Sequence, residues 1–467
     1  MEKQFVHLKA PDNWINDPNG FIYYKGMYHL FYQYFPYGPR WGTMHWGHAV
    51  SRDLVEWEHK GIALFPTVRG DQNGCFSGSA VEAEGKLVLV YTGVRYEVAD
   101  PEDIHRSLNE QFESCQMMIA SEDGFGFDNW KGKEVIIPPL TDPSVGHRTD
   151  TRDPKIWRGR DAWYLVVGSR TRQRQGKLLF YRSEDLHQWT FVNQAMKGPG
   201  YGWMWECPDY FEAGDGGVLV MSAMGLVKQE GMQENHSICF PVTFRESDCR
   251  MEIPDQYQFL DYGLDLYAPQ TTLDAAGRRV LVAWLRMPEP TEEGWIGMFC
   301  SPRVVEQKDG HIYFRMHPDV RKAYGVEAGM CGGREETGRR EMAEEPEAAG
   351  KPVRLALPGQ GCRLLFSLDE GQHMDIGGFL VGRRNGCIYT DRSSVFPADA
   401  GAHLVSVTPP VQEGRNLEVL VDANLVEVFV NDGEYTISNA VYGLGKDIQG
   451  DGPVQMWVAG GSGQTSI

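Results

Sequence analysis

The stretch WINDPNGFIYYKGMYHLFYQ (14–33) sets the reading of the whole chain. It opens on a polar turn, Asn16-Asp17-Pro18, and runs into an apolar, strand-like segment over 20–33. The same order returns four times. The apolar segments are GKLVLVYTG (85–93), DAWYLVVGS (161–169), GGVLVMSAM (216–224) and RRVLVAWLR (278–286). The short motifs ahead of them are FSG (76–78), RDP (152–154), ECP (206–208) and YAP (267–269). With Asp17, Ser77, Asp153, Glu206 and Ala268 as markers, the spacings are 60, 76, 53 and 62 residues. A second echo is Ser-x-Asp ahead of a Trp: Ser51/Asp53/Trp57, Ser121/Asp123/Trp130 and Ser183/Asp185/Trp189. A period near 60 with several short strands per unit predicts a propeller of four-stranded blades around a channel. Five units fill residues 1 to about 318. An irregular β-sandwich with chance spacing is the alternative.

Proline placement sharpens this. Pro18, Pro154 and Pro269 follow their markers, and Pro208 follows Cys207. Proline cannot donate to a sheet ladder, so it belongs on an edge strand or at a strand start. The innermost strand of a blade is such an edge. The residue before each proline is expected to be extended. The five motifs would then start the inner strands and aim side chains at one end of the channel.

Composition supports a mostly β, globular chain. The 54 glycines and 26 prolines are spread throughout, with short β-branched and aromatic runs between them. Of the 467 residues 42% are hydrophobic, enough for a full core and against disorder. No apolar run approaches the roughly 20 residues of a membrane span. The start, MEKQFVHLKAPDNW, lacks the apolar core of a secretion signal, so a cytoplasmic location is expected. A net charge of −19 repels phosphate backbones and anionic lipid, so neither nucleic acid nor membrane is an expected partner. Nine cysteines without a CxxC pair read as free thiols in a reducing compartment, not as a disulfide frame or zinc site.

Residues 319–350, rich in Gly, Glu and Arg, read as a linker with some helix. Beyond it, over 351–467, VRLAL, RLLFSL, HLVSV, LEVLV, LVEVFV and VQMWVA alternate as strands, with a hairpin turn at Asn431-Asp432-Gly433. These suit a β-sandwich. The expected fold is thus all-β, a five-bladed β-propeller (1–318), a linker (319–350) and a C-terminal β-sandwich (351–467).

Three of the five motifs carry a carboxylate: Asp17, Asp153 and Glu206. The repeat brings them to one rim although they are 136 and 53 residues apart in sequence. Paired carboxyls, one ionised and one with a raised pKa, suit glycoside hydrolysis. Each also has a bland reading. Asp17 sits in a turn-forming Asp-Pro-Asn-Gly, Asp153 could pair with Arg152 or Arg148, and Glu206 could be a surface acid. Trp14, Trp41, Trp46, Phe76, Trp203 and Trp205 lie in or near the motif loops, where flat rings could cover sugar C–H faces. Trp57, Trp130 and Trp189 are expected in the core. His45 and His48 in HWGH lack the Glu of a zinc protease and read as strand residues. The run Arg170 to Lys177 reads as a solvated hairpin tip, with an anion contact as the alternative.

WINDPNG (14–20), FSGSA (76–80), RDPKIW (152–157) and WECPDYF (205–211) together resemble glycoside hydrolase family 32, the invertase, sucrose-6-phosphate hydrolase and fructanase family. MHWGHAVSRDLVEWE (44–58), DYGLDLYAPQT (261–271) and LVEVFVNDGE (425–434) extend the resemblance over nearly the whole chain. It implies a five-bladed propeller followed by a sandwich, and hydrolysis of β-fructofuranosides with retention. It implies Asp17 as nucleophile, Glu206 as acid/base and Asp153 as transition-state stabiliser held with Arg152. It further implies a fructose subsite of Asn16, Gln33, Trp41, Phe76 and Ser77, with Trp14, Met204, Trp205 and Trp284 near it. Neither a metal nor an organic cofactor is called for. The implied partner is a small sugar: sucrose, sucrose 6-phosphate or a short fructo-oligosaccharide. A sandwich-mediated homodimer is compatible with it. The alternatives are a fructosyltransferase using the same intermediate and a non-catalytic carbohydrate-binding propeller. Two departures stand out. Asp422-Ala423-Asn424 replaces an Asp-Arg-Ser common in relatives, and GWIGMFCSPRVV (294–305) differs in its middle, which touches leaving-group recognition.

Overall fold

The computed structural model describes residues 6–227, 233–331, 353–359, 361–397, 403–411 and 416–460. Each motif of the repeat opens the first strand of an antiparallel sheet. Those strands are Trp14–Tyr24, Cys75–Ala83, Thr151–Arg158, Met204–Ala213 and Leu266–Leu273. Each sheet then runs outward through three further strands in chain order, the last two with one short strand added at the side. The first strands neighbour one another in turn, and the fifth lies beside the first. Residues near the chain start close the ring: Lys9 and Trp14 bridge to Met298 and Ile296, and Ala10 N–H donates to the Gly297 carbonyl (3.1 Å). This is a propeller of five sheets, in which each sheet's inner edge is short and faces the channel.

The core lies between consecutive sheets. Phe31 and Trp46 of the first sheet pack with Leu87, Leu89 and Tyr91 of the second; Val88 and Val90 of the second pack with Leu165, Val167 and Leu179 of the third. Phe180 of the third shares a cluster with Leu219, Ile238 and Phe240 of the fourth. Alternation within each strand sends side chains to both faces, and both are covered, which is why the strands read as continuous apolar runs.

All five inner strands carry a register break at the motif. The ladder skips between Ile15 and Pro18, Phe76 and Gly78, Arg152 and Lys155, Glu206 and Asp209, and Tyr267 and Gln270. Bulges of this kind re-aim a side chain and end local pairing. The expectation that the pre-proline residues are extended fails at three of them. Asp153, Cys207 and Ala268 have φ of +68°, +46° and +49°. The bulge forces the left-handed region there, at a cost of about 1–3 kcal/mol per residue that the surrounding sheet must hold in place.

The Ser-x-Asp echo is a turn joining the third and fourth strands of the first three sheets. Ser51 Oγ accepts from Leu54 N–H (2.9 Å) while Asp53 Oδ1 accepts from Val55 and Glu56 (2.9 Å each). Ser183 and Asp185 do the same for Leu186, His187 and Gln188. Trp57 and Trp189 are half-buried beside these turns, but Trp130 is 67% exposed, not core. His45 and His48 are buried strand residues.

The second unit pairs two six-stranded sheets. One runs Val326–Cys331, Val454–Val458, Cys362–Ser367, Asn416–Asp422, Leu425–Val430, Tyr435–Ala440; the other runs Val353–Ala356, Asp447–Gly450, His373–Ile376, Phe379–Arg384, Cys387–Asp391, Val405–Pro410. Their inner faces share one core containing Leu364, Val419, Val428, Ile376, Phe379 and Ile448. The Asn431-Asp432-Gly433 turn has φ of +47°, +56° and +88°, as its residue types favour. The boundaries differ from 1–318, 319–350 and 351–467. This unit comprises residues 1–7, 261–265 and 314–467, and the propeller unit 8–260 and 266–313. The stretch read as a linker begins with a helix, Pro318–Ala323, and a sheet strand, Val326–Cys331. Its remainder, 332–350, lies outside the described residues.

Candidate active site

The motif residues of the inner strands face one cavity of about 580 Å³. Asp17, Asp153 and Glu206 all line it, as do Trp14, Asn16, Gln33, Trp41, Phe76, Ser77, Arg152 and Trp284. Eleven of the thirteen residues that the family resemblance assigned to the site therefore meet there, as does Trp203, whereas Trp46 is buried in the core. Met204 and Trp205 do not: both are fully buried. The Trp205 ring turns into the core between the third and fourth sheets, where Gly176 leaves it room, and its indole N–H donates to the Tyr201 carbonyl (2.7 Å). Trp203 and Met224, the ladder partner of Met204, line the cavity in their place.

Asp17 is gripped from both sides. Ser77 Oγ donates to its Oδ2 (2.5 Å) and the Asn16 amide to its Oδ1 (3.1 Å). Asn16 is itself fixed by the Trp14 indole (2.8 Å). Burial pushes the Asp17 carboxyl up to about 6; the Glu206 charge adds to the rise, and the Ser77, Asn16 and Cys207 hydrogen bonds oppose it. Asp153 is also pushed up, by burial first and by Glu206 and Asp17, against the pull of Arg152. Cys207 links the two aspartates. Its N–H donates to Asp153 Oδ2 (3.0 Å), and its thiol lies 3.5 Å from Asp17 Oδ2 and 3.7 Å from Asp153 Oδ2.

Glu206, one residue earlier, takes three hydrogen bonds. Arg152 donates to Oε1 from Nε (3.0 Å) and Nη2 (2.8 Å), and the Tyr267 hydroxyl donates to Oε2 (2.7 Å). Arg152 keeps its charge despite burial, because Glu206, Asp150 and Asp153 outweigh the loss of solvent. Aromatic rings wall the cavity: Trp41 meets Phe76 edge-on with centroids 5.8 Å apart, and Trp14 meets Trp284 at 5.9 Å. One end is lined by Tyr96, Arg106, Ser107, Glu110 and Phe112, from the segment leading into the third strand of the second sheet. Arg174, at the hairpin tip, stacks over Trp203 at 4.2 Å from the ring centroid.

Sequence reasoning missed Tyr267, Asp150, Met224 and the 96–112 segment. Tyr267 had a signal, since it opens the fifth motif, but the marker there was the alanine after it. The others sit outside every motif.

An arrangement of carboxyls, an arginine hydrogen-bonded to one of them and flat apolar walls fits acid/base work on a sugar acetal. Comparison with known proteins agrees. Residues 7–318 match the profile of the Glycosyl hydrolases family 32 N-terminal domain, and residues 364–466 that of the family 32 C terminal. A sucrose-6-phosphate hydrolase of Escherichia coli is 32% identical over 450 residues, covering 93% of this chain and 88% of that protein. A raffinose invertase of Escherichia coli is 34% identical, with the same coverage of each. Among solved structures, a GH32 beta-fructofuranosidase of Bombyx mori superposes with a TM-score of 0.80 at 28% identity, covering 98% of this chain and 93% of that one. A variant of that Bombyx mori enzyme is known in complex with sucrose.

Proposed function

This chain belongs to glycoside hydrolase family 32 and is a fructofuranoside hydrolase, and we propose that Asp17, Glu206 and Asp153 perform its reaction with retention on a sucrose-sized substrate. The carrying observation is that two of these carboxyls share Cys207 while the third, Glu206, precedes it and faces the same cavity.

In the first step Asp17 attacks the anomeric carbon of the fructosyl unit. The glycosidic bond breaks, and Glu206 gives its proton to the leaving oxygen. Positive charge builds on the ring as the bond stretches, and Asp153, fixed by the Cys207 N–H, is the anion placed to stabilise it. In the second step Glu206 takes a proton from water as the water oxygen bonds the anomeric carbon, and Asp17 leaves. Ser77 and Asn16 hold Asp17 in one orientation throughout, so no reorganisation is needed at attack.

The cavity volume suits a disaccharide better than a polymer. Sucrose and its 6-phosphate are the substrates we assign; Arg106 in the lining and Arg174 over Trp203 supply positive charge near the leaving group. Free thiols at eight of the nine cysteines suit a reducing, cytoplasmic setting. Asp17→Asn and Glu206→Gln should each lower sucrose turnover about 10³-fold with unchanged circular dichroism. Wild-type activity in either variant would remove the assignment. Comparing kcat/KM on sucrose, sucrose 6-phosphate, 1-kestose and inulin tests the substrate; a preference for inulin would overturn it.

A further inference from the structure

Glu206 has two opposite duties. It must hold a proton in the first step and be ionised in the second. Its Oε1 receives both Nε (3.0 Å) and Nη2 (2.8 Å) of Arg152, charged hydrogen bonds of the kind a carboxylate oxygen accepts best. That serves the second step and opposes the first, so something must weaken the pull of Arg152.

Asp150 is placed to do so. Arg152 turns its remaining nitrogen, Nη1, to Asp150 Oδ1 (2.9 Å), and both side chains are only 11% exposed. Apart from Glu206, Asp150 is the one anion hydrogen-bonded to Arg152 among the described residues. Its other oxygen accepts from Arg170 Nε (2.5 Å), and Arg170 Nη2 donates to His147 Nε2 (2.9 Å). Burial alone would raise the Asp150 carboxyl, but Arg152 and Arg170 hold it below the usual range, so it stays charged. The backbone brings these groups together: Arg152 pairs with Gly168 and Thr151 with Ser169 across the ladder, which sets Arg170 beside Asp150. The result is a line of alternating charge, Glu206, Arg152, Asp150, Arg170, whose first three members line the cavity.

We propose that Asp150 is a positioning residue for the acid/base: it shares Arg152 with Glu206, offsets the guanidinium charge, and so lets Glu206 keep its proton until the leaving group takes it. This rests on the reading of Glu206 as the acid/base. The other groups facing Glu206 are Tyr267, hydrogen-bonded to it, Cys207 beside it, and the carboxyls of Asp17 and Asp153. Arg286 lies beyond, over the Tyr267 ring at 5.1 Å. Of the three anions Asp17, Asp153 and Asp150, only Asp150 is hydrogen-bonded to Arg152.

The test is the pH dependence of kcat/KM for sucrose in Asp150→Asn and Arg170→Gln. Losing the Asp150 charge leaves Arg152 and Arg170 unopposed. The basic limb should move down by about one pH unit, a tenfold loss on the alkaline side. Losing Arg170 frees Asp150 to offset Arg152 more fully, and the limb should move up. A nitrophenyl β-fructofuranoside needs no proton on its leaving group, so Asp150→Asn should change its kcat/KM less than about twofold. Basic limbs unmoved in both variants, or equal losses by Asp150→Asn on sucrose and on the nitrophenyl substrate, would overturn the proposal. If Asp150→Asn does not fold, the upward shift in Arg170→Gln decides. Glu206→Gln separates the two levels. Full sucrose activity there removes the acid/base reading itself. A sucrose-inactive Glu206→Gln beside unmoved limbs removes only the role of Asp150.

Discussion

Asp17 shows how one buried side chain sets the working pH. Its carboxyl is pushed up to about 6, first by burial and then by Glu206. As the proposed nucleophile, Asp17 must be ionised to attack, so kcat/KM should fall as pH drops through about 6, tenfold per pH unit below it. A pH–rate profile of the free enzyme checks this; an acid limb in the ordinary aspartate range would contradict it. The three carboxyls were legible in the sequence because each sits in a motif of the repeat, Asp17 and Asp153 directly before the proline and Glu206 one residue further ahead of it. The tryptophans were less so. Trp203 and Trp205 both flank the ECP motif, and only packing distinguishes them: Gly176 opens a hole between two sheets, and the Trp205 ring fills it. Asp150 lies three residues before Asp153 and belongs to no motif. Its meaning comes from Arg170, which approaches it from the neighbouring strand.

The bulged inner strand is the element on which the site is built. In three of the five, a left-handed residue sits before a proline, and the side chains around that bend enter the cavity. Motif spacing predicted where these strands begin but not their local shape. Pre-proline sterics alone favour an extended residue, and the sheet overrules them because two residues must oppose one. The close approach of neighbouring inner strands is equally invisible in sequence. Gly168 lies opposite the Asp153 bulge, and a Cβ there would run into the Trp205 carbonyl, one residue before Glu206. Gly168→Ala should therefore push the third and fourth sheets apart, cost about 1–3 kcal/mol, and lower kcat more than it raises KM. Thermal unfolding with sucrose kinetics measures both. Unchanged stability and kcat would show that the two strands have slack the structure does not display.

At the level of the full chain, the repeat and the strand alternation revealed a propeller and a sandwich, but not where the units divide. The sandwich unit also claims residues 1–7 and 261–265. These stretches are held by side chains distant in sequence. His7 donates to Asp422 (2.9 Å) and Glu427 (2.8 Å), Asp265 pairs with Arg392, and Asp261 accepts from Ser438. No periodicity marks them. The His7 contacts make a prediction about stability. Burial works against its charge, but Asp422 and Glu427 prevail and raise it to about 9. A raised folded-state pKa stabilises fully below the unfolded value of about 6.5, and that stabilisation fades as pH rises through 9. His29 and His48 act oppositely: burial lowers them to about 4 and about 3, so stability falls as pH drops below 6.5. The melting temperature should peak near neutral pH. His7→Gln should melt lower than wild type at pH 6, with the gap closing above pH 9. A gap that is constant with pH would contradict the charged pairing.

The convergence of Asp17 and Glu206 on one anomeric carbon is tested most directly by trapping the intermediate. In Glu206→Gln a nitrophenyl β-fructofuranoside can still load the enzyme, because its leaving group needs no proton, while release lacks its base. Peptide mass spectrometry after rapid quench should then find one fructosyl unit, attached at Asp17. A fructosyl unit on any other residue, or release of product in a single step with inversion and no adduct, would contradict it.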